Sequence, residues 1–238
     1  MPADANSLIT KEKQRLPWWT ALIFVGALIV TSTAVVFFLQ SRGLFSPAHT
    51  LVLLTGFYGA ALASVVLAIA PVGHDALPAM GLRGAGWRVV VLGVIGTVAL
   101  SMGVSHLGIE PQGVKQVMEF VREPGALAPS LIVFAVLAPL VEELIFRGLL
   151  YGWIVGLWTW AAGHEPSLPA RWATIVAWIV SSLAFAVAHY EPAHIILVLP
   201  LGLMFGWLRR RTDSLLPSFI AHVVNNGFAV LGAMLGDD

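Results

Sequence analysis

Seven long apolar runs, separated by short polar breaks, constrain the fold of this 238-residue chain more than any other feature. A transmembrane helix needs roughly 20 consecutive apolar residues, whereas a helix at the surface of a soluble protein is apolar on one face only. These runs are apolar on all sides, and only 11% of the residues are charged. The chain is therefore predicted to be an all-α, polytopic membrane protein. The predicted spans are 18–40, 50–72, 87–107, 127 to about 153, 172–189, 193–208 and 214–235.

The polar segments divide the chain into three parts within one membrane domain. A polar N-terminal segment, 1–17, precedes the first span, which we expect to remain uncleaved because no small-residue cleavage site follows it. The N-terminal helices, 18–126, carry no motif, and the transmembrane core is 127–238. The stretch 110–123 is either a helix on the membrane interface or a solvated loop. Its apolar residues at helical spacing are Val114, Val117, Met118 and Val121.

Basic residues near the span ends predict the orientation, because cytoplasmic loops carry more Lys and Arg than outer loops. If the N-terminus is cytoplasmic, nine basic residues fall in inner loops and three, Arg42, Lys115 and Arg122, in outer loops. We therefore expect an integral, multi-pass protein of a bacterial inner membrane or plasma membrane, with a cytoplasmic N-terminus. The nine inner residues are Lys11, Lys13, Arg15, Arg83, Arg88, Arg171, Arg209, Arg210 and Arg211.

Charge and cysteine content exclude several classes of function. The formal net charge is zero, so no bulk field attracts nucleic acid. The apolar runs make the lipid bilayer the expected environment. The chain contains no cysteine, which excludes disulfides, thiolate metal sites and a cysteine nucleophile.

Ionisable residues within the spans are the first candidates for function, because a charge in the bilayer core is costly. Glu143 and Arg147 are four residues apart, so they share a helix face and can neutralise each other. Glu142 lies about 100° round the helix and has no local cation, which leaves it free for chemistry. The alternative is that all three form a structural ion network between helices.

Three more polar residues lie in later spans and predict a polar intramembrane cavity, around which about seven to eight transmembrane helices are arranged. His189 closes the fifth span, and His194, five residues on, competes for the same role. His222 and Asn226 are four apart in the last span, although histidine and asparagine also join membrane helices by hydrogen bonds. A carboxylate in a dry cavity can act as a general base, while imidazole and amide groups hold water or stabilise an oxyanion. The set suits amide hydrolysis by an activated water.

At these residues the chain resembles the CPBP family of intramembrane endopeptidases, which includes type II CAAX prenyl proteases and the bacteriocin-processing or immunity-related Abi proteins. The resemblance covers about residues 127–226 and rests on three motifs in the family's order. They are E-E-x-x-x-R at Glu142, Glu143 and Arg147, F-x-x-x-H at Phe185 and His189, and H-x-x-x-N at His222 and Asn226.

The resemblance implies an intramembrane endopeptidase and a role for each motif residue. Glu142 would activate the water with help from His189, while His222 and Asn226 would stabilise the oxyanion or hold the water. Glu143 and Arg147 would fix the local geometry, with Phe185 in support. The substrate would be a membrane-associated peptide or protein, such as a prenylated peptide, a precursor or a sorting-tag peptide.

Cofactor use stays open between two descriptions of the family, as metalloproteases and as glutamate-dependent enzymes without metal. Zinc would be held by Glu142, His189 and His222, although the H-E-x-x-H pattern of zinc proteases is absent. We expect no cofactor. The alternative functions are a proton-coupled transporter and a catalytically silent immunity or partner protein.

The depth of His189 conflicts with a flat seven-span drawing. That drawing places His189 near the outer face, whereas Glu142 and His222 lie deeper. We therefore expect the turn 190–192 to lie within protein at mid-depth, where irregular backbone is tolerated. We also expect the fourth span to continue past Arg147 towards Trp158, and the fifth and sixth spans to be short.

Overall fold

The computed structural model describes residues 16–46, 49–161 and 170–235, which are mostly helical, with no β-strand among them. The basic residues Lys11, Lys13 and Arg15, most of the polar segment 1–17 and the C-terminal residues 236–238 lie outside the described residues. The helices are α1 (Trp19–Ser41), α2 (Thr50–Ile69), α3 (Ala76–Met80), α4 (Trp87–Ser105), α5 (Gln112–Val121), α6 (127–161), α7 (Ala170–Val187), α8 (Pro192–Thr212) and α9 (Leu216–Leu235).

Six of the described helical segments are long and apolar enough to cross a membrane. A seventh apolar segment, Arg171–Val187 in α7, is shorter. Large apolar side chains on α1, such as Leu22, Val30 and Phe37, are more than 60% exposed, as expected of a surface that faces lipid. The predicted all-α, multi-pass membrane fold is confirmed.

The end of the sixth span differs from the prediction. Helix α8 runs from Pro192 to Thr212 and is therefore not short, and Arg209, which we placed in an inner loop, is only 2% exposed. Its guanidinium pairs with Asp213 at 2.6 Å, and its Nε donates to the carbonyl of Arg147 at 3.1 Å. These partners compensate for the burial of the guanidinium, so the helix can continue past Arg209 within the protein.

A glycine makes room for this buried arginine. Gly81, after α3, has φ 82°, and a Cβ atom there would lie 2.6 Å from Cζ of Arg209. Glycine alone combines this left-handed backbone with so close an approach. Through Arg209, the N-terminal helices are joined to the backbone of α6.

Helix α6 carries the paired glutamates and is not a uniform α-helix. Two π-helical segments, Leu131–Leu137 and Leu144–Leu150, flank the short α-helical segment Ala138–Glu143. Such π segments are rare and occur frequently at functional sites. The helix continues to residue 161, which confirms that the fourth span extends past Arg147 and brings Glu142 near its middle.

Candidate active site

A cavity of about 400 Å³ lies between the helices of the core. The predicted residues Glu142, His189, His222 and Asn226 all line it, as does Phe185. The expected convergence of these side chains on one cavity is therefore confirmed. Much of the remaining wall is apolar, from residues that include Val104, Val114, Val117, Met118, Phe134, Leu197, Leu201 and Val230.

Glu142 and Glu143 are adjacent in sequence but lie in different surroundings. The side chain of Glu142 is 19% exposed and borders the cavity, whereas that of Glu143 is 1% exposed. Glu143 Oε1 lies 3.1 Å from the guanidinium of Arg147, so the predicted pair is present. Glu142 is thus the carboxylate of this pair that can meet a molecule in the cavity.

Two groups from other helices contact Glu142, which we expected to lack a cationic neighbour. Its Oε1 accepts a hydrogen bond from the Tyr58 hydroxyl of α2 at 3.2 Å. Its Oε2 lies 3.6 Å from His222 Nε2 of α9. Arg147, the cation on the same helix, pairs with Glu143, as predicted, and tertiary packing adds partners that helix spacing does not show.

Arg147 is fully buried and held from several sides. Its guanidinium faces the ring of Phe185 at 4.1 Å and donates to the carbonyl of Gly202 at 2.9 Å. A Cβ on Gly202 would lie 2.9 Å from the Phe185 ring, so a glycine is needed for this close approach of α8. Arg147 therefore links Glu143 of its own helix to Phe185 of α7 and Gly202 of α8.

His222 connects the two glutamates. Its Nδ1 lies 3.2 Å from Glu143 Oε1, and an ionised carboxylate only accepts, so this nitrogen carries the hydrogen. Nε2 is then an acceptor that faces Glu142. The imidazole stacks on the ring of Phe205, with centroids 4.5 Å apart and planes at 21°, which fixes its orientation.

His189 lines the same cavity and, like His222, packs against the Phe185 ring. The Phe185 ring is 5.1 Å from the His189 imidazole and 5.6 Å from that of His222. His189 Nδ1 contacts the Phe185 carbonyl at 2.9 Å, which leaves Nε2 without its hydrogen in the neutral ring. His194 also lines the cavity, 4.6 Å from His189 between ring centroids, so both imidazoles remain candidates.

Asn226 is anchored to the irregular part of α6. Its amide nitrogen donates to the carbonyl of Phe134, in a π-helical segment, at 3.1 Å. Its carbonyl oxygen accepts from Asn225 at 3.2 Å. One amide hydrogen of Asn226 remains for a molecule in the cavity, which is what an oxyanion donor requires.

Helix α5 covers part of the cavity. The stretch 110–123, for which the sequence allowed either an interface helix or a solvated loop, is helical from Gln112 to Val121. Its residues Val114, Val117, Met118 and Val121 all line the cavity wall. The carboxylate of Glu191 accepts hydrogen bonds from the N–H groups of Gln112 and Gly113, at 2.7 and 3.1 Å. These donors lower the pKa of Glu191 below its ordinary value.

The turn that contains Glu191 is not enclosed in protein, contrary to our expectation. Tyr190 is 89% exposed, and the turn contacts the start of α5. The physical reason is the charge of Glu191, which is satisfied by the free N–H groups at a helix start and so needs no buried site. His189 lies two residues past the end of α7, at the start of this turn, and its side chain lines the cavity.

Removal of the Glu191 carboxylate is expected to loosen the attachment of α5. In the cysteine-free chain, a single Ala138→Cys change places a thiol on the cavity wall. Adding Glu191→Gln should increase the labelling rate of that thiol several-fold at neutral pH, where Glu191 is ionised. The effect should fade as the pH falls through the lowered pKa of Glu191. Glu119→Gln, which removes a carboxylate from α5 itself, is the matched control and should not alter the rate. Equal labelling rates in Ala138→Cys alone, with Glu191→Gln and with Glu119→Gln would contradict the prediction.

The possible zinc ligands Glu142, His189 and His222 are not arranged to bind a single ion in this structure. Within 16–46, 49–161 and 170–235, no three His, Asp or Glu side chains form a group that could hold a metal. The ring of Phe185 packs against the imidazoles of both His189 and His222, while the carboxylates near His222 are those of Glu142 and Glu143.

Four residues at or beside the site were not predicted from the sequence. Tyr58 and Phe205 are uncharged, so the cost of a charge in the bilayer does not single them out. Arg209 was taken for a loop residue because it begins a basic run. Asn225 stands beside the motif residue Asn226, and a second polar residue in an apolar span was a signal that could have been used.

Comparison with known proteins agrees with the motifs. Residues 124–228 match the family model described as "Type II CAAX prenyl endopeptidase Rce1-like". The chain is 24% identical over 128 residues to "Putative membrane peptidase YdiL" of Bacillus subtilis (strain 168), which is 54% of this chain and 46% of that protein. It is 32% identical over 111 residues to "Membrane-embedded CAAX protease MroQ" of Staphylococcus aureus (strain USA300), which is 46% of this chain and 42% of that protein.

The resemblance stated from the motifs is thereby confirmed, and all seven motif residues fall within the matched segment. The chain spans less than half the length of either of these relatives. No solved structure matches it. Tyr58 lies outside the matched segment.

Proposed function

We propose that this chain is an intramembrane endopeptidase that hydrolyses a peptide bond of a membrane-associated substrate with water activated by Glu142. The observation that carries the proposal is the separation of the two glutamates. Glu143 is paired with Arg147, whereas Glu142 borders a cavity that is also lined by the imidazoles of His189 and His222 and the amide of Asn226. Those are the groups that amide hydrolysis by water requires.

The proposed reaction begins with a water between Glu142 and His222. Glu142 Oε2 removes one proton, and His222 Nε2 accepts the other hydrogen as a hydrogen bond, which aims the oxygen at the scissile carbonyl carbon. The free amide hydrogen of Asn226 stabilises the oxyanion that forms. The C–N bond then breaks as the proton moves from Glu142 to the leaving amine, and His189 assists this transfer through its Nε2.

The apolar wall points to a substrate that enters from the bilayer. We propose prenylated peptides, peptide precursors and C-terminal sorting tags as the substrate classes, the first in line with the name of the matched family. We propose a location in a bacterial inner or plasma membrane with a cytoplasmic N-terminus, in line with the excess of basic residues in the predicted inner loops.

Comparative proteomics of membrane fractions tests this function. Cells that carry the wild-type chain should contain new peptide termini that are missing with Glu142→Ala, and the uncleaved precursors should accumulate in the variant. Identical termini in both samples, with full biological function retained, would indicate a catalytically silent partner protein instead.

Activity is expected to persist after chelation of metals. The reason is that Glu142, His189 and His222 do not form one ligand set as they lie, while the proposed base needs no metal. The measurement is the cleavage rate before and after dialysis against a zinc chelator. Stoichiometric zinc that survives purification, with activity lost on its removal and restored on its return, would reverse this part of the proposal.

A further inference from the structure

Tyr58 contributes to the site from outside the segment that carries the motifs. It lies in α2 (Thr50–Ile69), whereas the matched family segment begins at residue 124. Its hydroxyl lies 3.2 Å from Glu142 Oε1, and its side chain lines the same cavity. The other two tyrosines of the chain are elsewhere: Tyr151 packs against Arg209, and Tyr190 is exposed.

The two oxygens of Glu142 have different partners. Oε1 is within hydrogen-bond distance of the Tyr58 hydroxyl. Oε2 lies 3.6 Å from His222 Nε2, beyond a direct hydrogen bond but suited to a water that contacts both atoms. A hydrogen bond from a hydroxyl to a carboxylate is charge-assisted and directional, so it limits rotation of the carboxylate about its own axis.

We propose that Tyr58 is a positioning residue that holds Oε1 of Glu142, so that Oε2 faces the attacking water. This inference rests on the proposed function. The hydroxyl anchors the base without competing for the oxygen that takes the proton. The rate of such catalysis is sensitive to small errors in the position of the base, because a proton transfer needs its two heavy atoms within hydrogen-bond distance.

The position of α2 relative to α6 is therefore part of the site. Tyr58 is half-buried, and Ala60, Ser64 and Val65, in the next turns of the same helix, are fully buried. Thr31 of α1 contacts the Ser64 hydroxyl at 3.0 Å and the Ala60 carbonyl at 3.2 Å. These contacts fix α2 and so determine where the phenol hydroxyl lies.

Tyr58→Phe tests the proposal because it removes only the hydroxyl. The substrate is a precursor that accumulates with Glu142→Ala, cleaved by the purified full chain. The expected result is a fall in kcat of about 10-fold to 100-fold, with KM and the melting temperature unchanged. In a Glu142→Gln background the same change should cause no further loss, because the group that Tyr58 positions is gone. Tyr190→Phe is the matched control and should match the wild type.

Infrared difference spectra give a readout that needs no substrate. The carboxylate bands of Glu142 are those lost in Glu142→Gln, and they should shift in Tyr58→Phe but not in Tyr190→Phe. Unshifted bands, wild-type kcat, or a loss of kcat explained by a lower melting temperature would each overturn the role of Tyr58. If no precursor accumulates with Glu142→Ala, or if Glu142→Gln cleaves normally, the proposed function fails, and the spectra still decide whether Tyr58 holds Glu142.

Discussion

Glu142→Gln is expected to reduce peptide cleavage by at least about 100-fold while leaving the fold nearly intact, since general-base catalysis contributes about 10²–10⁴ in rate. The amide keeps the volume of the side chain and can still accept from Tyr58. It cannot take a proton from water at neutral pH, so the reaction stops at its first step. The measurements are kcat on an accumulated precursor and the melting temperature of the purified protein.

A matched variant separates the loss of the base from a general loss of charge. Glu119→Gln makes the same chemical change on the exposed face of α5 and should leave kcat unchanged. If Glu142→Gln retained more than a small fraction of wild-type activity, another group would have to be the base. The neighbouring Glu143 would then be the first to examine.

Glu143→Gln is expected to destabilise the protein by about 3–5 kcal/mol, because it leaves a buried guanidinium without its charge partner. Glu143 and Arg147 are 1% and 0% exposed, and their charged atoms are 3.1 Å apart. The amide would also weaken the contact with His222 Nδ1, which lies 3.2 Å from Glu143. Thermal melting should therefore fall far more in this variant than in Glu142→Gln.

The double variant Glu143→Gln with Arg147→Met tests whether the destabilisation comes from an unpaired buried charge or from altered packing. Removing both charges should restore part of the melting temperature, although the Arg147 contact with the Gly202 carbonyl is still lost. If Glu142→Gln and Glu143→Gln behaved alike in both activity and melting, the division of roles between the two glutamates would be wrong.

The fold and the core of the site follow from local features of the sequence. The spans were predictable because each is apolar on all sides, and the Glu143–Arg147 pair was predictable because four residues bring side chains to one helix face. The convergence of Glu142, His189 and His222 was predictable because polar groups in a bilayer need one another. Each of these inferences uses spacing along a single helix or a rule that holds for the whole membrane.

The remaining features depend on contacts between helices that the sequence does not specify locally. Tyr58 is 84 residues from Glu142 in the chain, and nothing in its own helix indicates that its hydroxyl meets a carboxylate. Arg209 begins a basic run that is typical of a cytoplasmic loop, yet Asp213 and two backbone carbonyls allow its burial. The turn at Glu191 was expected within protein because of the depth of His189 and because irregular backbone is tolerated there, but the start of α5 supplies a partner for its charge at an exposed position.

The central claim is that Glu142 activates water for peptide hydrolysis in the membrane cavity, and one measurement tests it most directly. The purified chain is reconstituted in phospholipid vesicles with a precursor that accumulates in Glu142→Ala cells, and the products are analysed by mass spectrometry. The account predicts two fragments whose masses together equal the precursor plus one water, formed by the wild type and not by Glu142→Gln. An intact precursor, whether left in place or moved across the vesicle membrane, or cleavage that is equal in both proteins, would contradict it.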